Sequence, residues 1–238
     1  MNSPYGLPCV ENCLTCYLRS ENFFCALPKE SFVAFSQITH ATAYPHHAVI
    51  FVEGQTPRGI FMLCQGQAKL STTSRDGRTF ILRIAKAGEV LGLHATVTGK
   101  PYEMTAETMQ PCQLNFVSKV DFLQFLKKHG DACLRAAQHL SREYQDACDV
   151  VRSVGLTHSI SERLAKFLLE SAAEGKAVDG MVRTKLALTH EEISQLIGTS
   201  RESISRTLSE FRRREIVELK GSTLIIHNKL ALEQLVAA

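Results

Sequence analysis

The run 188–208 constrains this chain most, because its caps and apolar spacing suit two short helices joined by a tight turn. Thr189 is a favourable N-cap, and Glu192 three residues later completes a capping box. Gly198 supplies the turn, since a left-handed backbone costs glycine less than a residue with a Cβ atom. Ser200 then caps the second helix. The pattern predicts a helix-turn-helix.

The second predicted helix has an apolar face and a polar end. Ile204, Leu208 and Phe211 recur at i, i+4 and i+7 and are expected to face the core. The N-terminal end of such a helix is the part that enters the major groove of DNA. The polar residues at that end are Arg201, Glu202, Ser205 and Arg206. An ordinary helical hairpin with a solvated charged face would share this spacing. The neighbouring sequence is needed to distinguish such a hairpin from a DNA-binding motif.

The residues that follow this helix favour DNA binding. Three consecutive arginines at 212–214 suit contacts with phosphates. Two strand-like runs, 216–219 and 224–226, then flank a hairpin turn that carries Lys220. A helix-turn-helix followed by a hairpin is a winged helix-turn-helix. We expect the wing to touch the DNA backbone through Lys220.

Size and composition set the broad class of protein. A chain of 238 residues has room for two modest domains with their own cores. Its formal net charge of +3 is too small to indicate nucleic-acid binding by itself. The apolar runs are too short to cross a bilayer and no secretory signal opens the chain, so we expect a cytoplasmic protein without a membrane partner. In that compartment, eight cysteines indicate metal or redox chemistry more than structural disulfides.

The pattern along the chain predicts four parts and an α+β fold. Residues 1–30 form a cysteine-rich segment, named here the cysteine arm. Residues 31–117 alternate short apolar runs with glycines, which favours an antiparallel β-roll. Residues 118–154 are predicted to be a dimerisation helix, and 155–238 the winged helix-turn-helix domain. Within the last part, 175–188 show little apolar pattern and are expected to be a linker.

The predicted dimerisation helix carries apolar and small residues at alternating steps of four and three. They are Cys133, Ala137, Leu140, Tyr144, Ala147, Val151 and Val154. This spacing is the seam of a coiled coil and favours a parallel homodimer. A helix packed only on its own domain would show a broader apolar face.

This order of parts resembles the CRP/FNR family of transcription regulators, with the FNR-type iron–sulfur branch as the nearest match. The most specific element is Thr-Ser-Arg-Glu-Ser-Ile-Ser-Arg at 199–206. The resemblance implies a homodimer that reads near-palindromic double-stranded DNA, and RNA polymerase as a further partner. It also implies that Glu202 and Arg206 read a G·C pair, which agrees with the bonding of Arg to guanine and of Glu to cytosine. Arg201 matches the cAMP receptor branch and Ser205 the FNR branch, so the half-site stays open.

The cyclic-nucleotide branch is a poorer match in the β-roll. Gly88 and Glu89 fit that branch, but 99–105 lack the Arg-Ser pair that holds the cyclic phosphate. A ligand without these groups loses two charge-assisted contacts. We therefore do not expect cAMP to be the signal.

The cysteine arm predicts a metal centre. Its cysteines are Cys9, Cys13, Cys16 and Cys25, and a two-residue gap lets neighbouring thiolates share one centre. The FNR resemblance implies a [4Fe–4S] cluster that is sensitive to oxygen or nitric oxide. A fourth ligand would come from the β-roll in a Glu-Thr-x-x-x-Cys context, which Cys112 matches. The implied ligands are Cys13, Cys16, Cys25 and Cys112, although the gap before Cys25 is longer than in that family.

Several alternatives share the fold and differ in the signal. Cys9 could replace Cys112 as the fourth ligand, or the cysteine arm could hold a structural zinc ion. Thiol–disulfide chemistry, haem, another small molecule or no effector are further alternatives. A redox enzyme built on Cys13-x-x-Cys16 is the most distant one, because that motif should follow a strand and open a helix in a βαβ unit. We do not expect an enzyme.

Overall fold

The structure, a computed structural model, describes residues 5–7, 12–16, 23–156, 159–173, 175–178 and 181–237. The chain divides into two compact units, Met1–Ala147 and Cys148–Ala238. Both combine helices with antiparallel sheet, as the predicted α+β class requires. Among the described helices, none has the length and apolar character needed to span a bilayer.

The first unit contains the predicted β-roll. Its strands are β1 (His40–Tyr44), β2 (Val49–Phe51), β3 (Gly59–Gln65), β4 (Gln67–Thr73), β5 (Thr79–Lys86), β6 (Val90–Leu91), β7 (Thr105–Thr108) and β8 (Cys112–Ser118). Its helices are α1 (Lys29–Ser36), α2 (Leu93–Thr98) and α3 (Lys119–Lys128), and α4 (Gly130–Leu156) begins in this unit and ends in the second. Over the described residues the strands form two sheets, with the orders β1-β8-β3-β6 and β2-β7-β4-β5.

The side chains of strand β3 show what covers each face of its sheet. Ile60 and Met62 belong to a hydrophobic cluster with phenylalanines of α1 and α3, so this face is covered by helices. Phe61 and Leu63 belong to a second cluster that includes residues of β4 and β7, so the opposite face meets the other sheet. Successive side chains of a strand point to opposite faces, which explains this alternation.

The region predicted as one dimerisation helix contains two helices. Helix α3 ends at Lys128, the next residue His129 has an extended backbone, and α4 begins at Gly130. The Ser31 hydroxyl of α1 lies 3.1 Å from Nδ1 of His129 and donates to the Asp131 carboxylate at 3.0 Å. These contacts hold the break, and the apolar spacing of the sequence contained no signal for it.

The second unit contains the predicted winged helix-turn-helix. Its elements are α5 (Ile160–Ser171), β9 (Lys176–Val178), β10 (Met181–Lys185), α6 (His190–Ile197), α7 (Arg201–Arg213), β11 (Val217–Lys220), β12 (Thr223–Ile226) and α8 (Lys229–Ala237). Ile193, Ile204 and Phe211 lie in its hydrophobic core together with Leu164 and Leu224.

The expected linker 175–188 is instead largely sheet. Strands β9 and β10 extend the wing into a sheet of order β11-β12-β10-β9 over the described residues. Val182 of β10 pairs with Ile226 of β12, and Thr184 pairs with Leu224. Strands this short are stabilised by their cross-strand partners, which lie far along the chain. The local sequence therefore did not reveal them.

Candidate functional site

The helix-turn-helix is built from the local signals found in the sequence. The Thr189 hydroxyl accepts a hydrogen bond from the Glu192 backbone N–H at 3.1 Å, and the Glu192 carboxylate accepts one from the Thr189 N–H at 2.9 Å. Gly198 ends α6 in the left-handed conformation, with φ 67°. The Ser200 hydroxyl accepts from the Ser203 N–H and caps α7. Thr189 and Ser200, both predicted to contact DNA, thus serve first as helix caps.

Helix α7 presents a charged end to solvent. Ile204, Leu208 and Phe211 are buried and anchor the helix. The predicted base-reading residues Arg201, Glu202 and Arg206 are exposed. Arg206 makes one long hydrogen bond, from its guanidinium to the Ser203 hydroxyl at 3.4 Å. Most of its donors therefore face solvent, where a base edge could accept them.

Ser205, the fourth predicted reading residue, is half-buried and has a partner in the first helix. Its hydroxyl lies 3.0 Å from Nδ1 of His190. This contact joins the start of α6 to the reading helix and restricts the Ser205 rotamer. Sequence reasoning missed His190, since the two residues are fifteen positions apart and no local pattern connects them.

The electrostatics at the start of α7 favour an ionised Glu202. Its own backbone N–H and the Ser200 hydroxyl lower the pKa of the carboxyl group, and the charge of Arg201 adds to the effect. A carboxylate near a helix N-terminus is also favoured by the helix dipole. An ionised carboxylate only accepts hydrogen bonds, which suits the amino group of cytosine.

Cationic side chains continue from α7 into the wing. The arginines at 212–214 are exposed, and Arg214 forms a surface ion pair with Glu210 at 3.7 Å. Lys220, at the end of β11, is exposed and lies 3.1 Å from the Glu218 carboxylate. The hydrogen bond from Lys220 is the main cause that lowers the pKa of Glu218. Such exposed ion pairs are weak, so a phosphate could displace them.

The cysteine arm and the β-roll form a second candidate site. Cys13 and Cys25 pack against the helix-covered hydrophobic cluster of the β-roll. Cys13 and Cys16 share one short turn, in which the Cys16 N–H donates to the Cys13 carbonyl at 3.4 Å. The Asn115 side-chain amide of β8 donates to the Cys13 sulfur at 3.1 Å. Cys13 is therefore bound to the sheet through Asn115.

Cys64, a residue without a predicted role, lies among these thiols. It lies on β3 between Leu63 and Gln65, where a β-bulge shifts the pairing with β8. Burial and the charges of three neighbouring cysteines raise the pKa of the Cys64 thiol, while the Asn115 backbone opposes the shift. Those neighbours are Cys25, Cys13 and Cys16. The bulge interrupts the two-residue alternation of β3, so the strand pattern of the sequence could not assign Cys64 to a face.

Cys112, the predicted fourth ligand, occupies the opposite face of the sheet. It belongs to the cluster between the two sheets, and its thiol donates to the carbonyls of Gln110 at 3.1 Å and Gln67 at 3.3 Å. Burial raises the pKa of this thiol. Gly66, with φ 98°, packs so closely that an added Cβ atom would lie 2.4 Å from the Cys112 sulfur. Cys112 therefore packs in the core between the two sheets, and its role as the fourth ligand stays a prediction.

The Glu-Thr pair that precedes Cys112 is structural in this chain. Glu107 lies 2.8 Å from His47 and 3.1 Å from Lys69. Although burial opposes the change, hydrogen bonds from His47 and then Lys69 lower the pKa of Glu107. Thr108 is buried and donates to the Pro45 carbonyl at 2.6 Å.

None of the seven described cysteines is in a disulfide. Among the described residues, no three Cys, His, Asp or Glu side chains already stand at metal-ligand spacing. Cys9, the alternative fourth ligand, lies outside the described residues.

Two family models match the chain, and together they cover more than half of it. A Crp-like helix-turn-helix domain matches residues 162–235 and a cyclic nucleotide-binding domain matches residues 41–129. This chain belongs to the CRP/FNR family. Members of the CRP/FNR family with both domains are DNA-binding transcription regulators, and that function holds for this chain. The matches do not distinguish the branches of the family.

Individual CRP/FNR relatives are distant. The cAMP-activated global transcriptional regulator CRP of Pasteurella multocida is 23% identical over 192 residues, covering 79% of this chain and 90% of that protein. The global nitrogen regulator of Synechocystis sp. is 26% identical over 189 residues, covering 78% of this chain and 83% of that protein. The solved structure of FixK2 from Bradyrhizobium japonicum has a TM-score of 0.72 at 23% identity, covering 84% of this chain and 98% of that one. This last similarity shows the fold.

The cyclic nucleotide-binding region of this CRP/FNR member is engaged in internal contacts. Glu89 pairs with Arg83, which also donates to the Glu143 carboxylate of α4 at 3.3 Å. The buried Tyr102 hydroxyl, within 99–105, donates to the Gly59 carbonyl at 3.0 Å. That cAMP is not the signal stays a prediction.

Proposed function

We propose that this CRP/FNR regulator is a homodimer that reads near-palindromic DNA through α7 and responds to oxygen or nitric oxide through a [4Fe–4S] cluster on the cysteine arm. The exposed, charged start of α7 carries the DNA-reading part of the proposal. Arg206 and Glu202 are free to meet base edges there, while the apolar face of the helix is buried. RNA polymerase is the further partner that the family resemblance implies.

The surface of α4 supports the homodimer. Ala132, Ala136 and His139 are buried on one side of this helix. On another side, Tyr144 is 72% exposed and Val151 is 70% exposed, and both belong to the predicted seam. Large apolar side chains exposed at coiled-coil spacing favour a second copy of the same helix. Two reading helices about 34 Å apart would then meet successive major grooves.

The donor set of the cysteine arm supports the cluster. Thiolates are the usual ligands of iron–sulfur clusters. Cys13, Cys16 and Cys25 lie beside one face of the sheet, where Asn115 already donates to sulfur. A bound cluster supplies a group that oxygen or nitric oxide converts or destroys.

A hydrogen bond connects the cysteine arm to the dimerisation helix. The Arg135 guanidinium of α4 donates to the carbonyl of Ala26 at 3.2 Å. Ala26 directly follows Cys25, so a ligand that moves Cys25 also moves an acceptor of α4. We infer that Arg135 transmits the state of the cysteine arm to the seam, and through it to the spacing of the two reading helices. A two-state interface of this kind suits a switch.

The test compares two preparations of the full chain. Anaerobically purified protein should be brown, contain iron and acid-labile sulfide, sediment as a dimer and bind a palindrome with a central G·A step. Air exposure should remove the colour and weaken DNA binding. A colourless, iron-free anaerobic protein would contradict the cluster, and a monomer that ignores palindromes would contradict the DNA-reading arrangement.

A further inference from the structure

We infer that His190 of α6 is a positioning residue for DNA reading, because its imidazole sets which hydrogen-bonding groups the Ser205 hydroxyl of α7 presents to a base. The inference makes Ser205 a reader of an amino group, on adenine or cytosine. It rests on the proposed function, since it assumes that the start of α7 enters the major groove.

One hydrogen bond connects the start of α6 to α7. Nδ1 of His190 lies 3.0 Å from the Ser205 hydroxyl oxygen, and both side chains are half-buried. Ser205 shares a helix face with Arg201 and Glu202, because residues three and four apart on a helix are neighbours. His190 is the first residue of α6, and the capping box that begins at Thr189 holds this turn. The contact therefore lies beside the residues predicted to read bases.

The Ser205 hydroxyl differs from the next two hydroxyls along α7. Thr207 donates to the Ser203 carbonyl at 2.9 Å, and Ser209 donates to the Ser205 carbonyl at 2.8 Å. Both hydroxyls are thus used on the backbone of their own helix, a common role of serine and threonine inside helices. The Ser205 hydroxyl instead bonds across the turn, and it has no second partner among the described residues. Its remaining hydrogen-bonding capacity is available to DNA.

The tautomer of His190 decides the direction of this hydrogen bond. In a neutral imidazole one nitrogen donates and the other accepts, and the partner of one nitrogen fixes the role of the other. A helix-turn-helix places its first helix across the DNA backbone and its second helix in the major groove. Nε2 of His190 has no partner in the part of the chain that the structure describes, and at the start of α6 it donates to a phosphate oxygen. Nδ1 then accepts, so the Ser205 hydroxyl donates to it.

This direction restricts what Ser205 recognises. A serine hydroxyl has one proton to donate and two lone pairs that accept. With its proton directed at His190, Ser205 presents only lone pairs to the major groove. Adenine N6 and cytosine N4 donate there, whereas guanine O6 and thymine O4 accept. His190 therefore disfavours guanine and thymine at the Ser205 position without touching a base.

The experiment measures binding of the full chain by fluorescence anisotropy, with single-pair substitutions in one half-site of a palindromic duplex. Ser205→Ala identifies the pair that Ser205 reads, as the position where a preference for adenine or cytosine is lost. His190→Phe keeps a ring without its nitrogens and should lose the same preference, by roughly 2- to 13-fold for one hydrogen bond. His190→Asn returns an amide oxygen near the place of Nδ1 and should recover part of the preference.

A double variant separates this positioning role from general support of the fold. Because both residues act through one hydroxyl, His190→Phe combined with Ser205→Ala should lose no more at that position than Ser205→Ala alone. The preference that depends on Arg206 should persist in His190→Phe. Equal weakening on every duplex, or additive losses in the double variant, would overturn the inference. If His190→Phe fails to fold in thermal unfolding, His190→Ala takes its place under the same criteria.

Nitrogen-15 NMR of histidine-labelled protein reports the tautomer directly. In the DNA complex at about pH 8, where imidazoles are mostly neutral, Nε2 of His190 should carry the proton and Nδ1 should not. The signal is assigned by its absence from the His190→Asn spectrum. A proton on Nδ1 would overturn the inference, because the Ser205 hydroxyl would then be free to donate to a base.

The inference and the proposed function fail in distinguishable ways. If Arg206→Ala loses a G·C preference while Ser205→Ala loses none, α7 reads DNA and the role of His190 is rejected. If neither variant changes any base preference, the DNA-reading part of the proposed function is rejected as well.

Discussion

Removal of the Arg206 guanidinium should weaken DNA binding strongly without unfolding the protein. Arg206→Ala deletes a side chain that is exposed and makes one hydrogen bond, 3.4 Å long, in the free chain. Exposed substitutions of this kind change the free energy of unfolding by about 0.5 kcal/mol or less. The buried anchors of α7, Ile204 and Phe211, stay in place.

The magnitude follows from the number of base contacts. One bidentate contact of Arg with guanine contributes roughly 1–3 kcal/mol of discrimination. A homodimer makes two such contacts in separate half-sites, which should add to about 2–6 kcal/mol. Since each 1.4 kcal/mol corresponds to about tenfold in affinity, Kd should rise by roughly 30-fold to more than 10,000-fold.

The assay is fluorescence anisotropy at fixed salt, with one palindromic duplex and a set of single-pair substitutions in its half-sites. For Arg206→Ala, substitution of the contacted G·C pair should no longer matter, while other positions keep their effect. Arg213→Ala is the matched control, because Arg213 is exposed at the other end of α7. It should weaken all duplexes alike and reduce the salt dependence by about one counterion per contact. An equal loss on every duplex in Arg206→Ala would refute base reading by this residue.

Further predictions concern stability, coupling and the metal centre. Thr189→Ala removes the capping box and should lower the free energy of unfolding by about 1 kcal/mol in urea titrations; an unchanged midpoint would argue against the cap. His47 and Lys69 lower the pKa of Glu107 in the folded protein. The Glu107 carboxylate therefore stabilises the fold at pH values above its unfolded pKa of about 4.3, and this stabilisation is lost as the pH falls through the folded pKa. Thermal unfolding of Glu107→Gln should therefore depend less on pH below about pH 5 than that of wild type, and parallel curves would contradict this. Arg135→Gln removes the donor to Ala26 and should keep the iron content while air no longer changes DNA affinity; a normal response to air would reject the coupling. Asn115→Leu removes the hydrogen bond to the Cys13 sulfur and should make the cluster potential more negative in a redox titration; an unchanged potential would argue against Cys13 as a ligand.

Local signals predicted the helix-turn-helix. The capping box of Thr189 and Glu192, the left-handed Gly198 and the buried Ile204 depend on residues within one or two helical turns of each other. The antiparallel β-roll was likewise predicted from glycines and short apolar runs. Such features need no knowledge of distant contacts, because the energetics of caps, turns and amphipathic helices are local.

Other features depend on partners far along the chain. The strands within 175–188 exist through pairing with β12, and the helix break at His129 is held by Ser31 of α1. His190 acquires its role only because the turn brings it to Ser205. No pattern of neighbouring residues encodes these contacts. The sequence therefore predicted a linker at 175–188, a continuous helix through His129 and no role for His190.

The cysteines show most clearly the difference between what the local sequence predicts and what distant contacts decide. Their spacing alone predicts a metal site around Cys13, Cys16 and Cys25, since thiols two residues apart can share one centre, and this stays a prediction. Which cysteine of the β-roll faces them depends on strand register, and a shift of one residue moves a side chain to the other side of the sheet. The sequence by itself therefore determined which cysteines are close along the chain, and only the tertiary structure showed that Cys13 and Cys25 pack against the helix-covered cluster while Cys112 lies in the core between the sheets, because these contacts join residues far apart in the sequence.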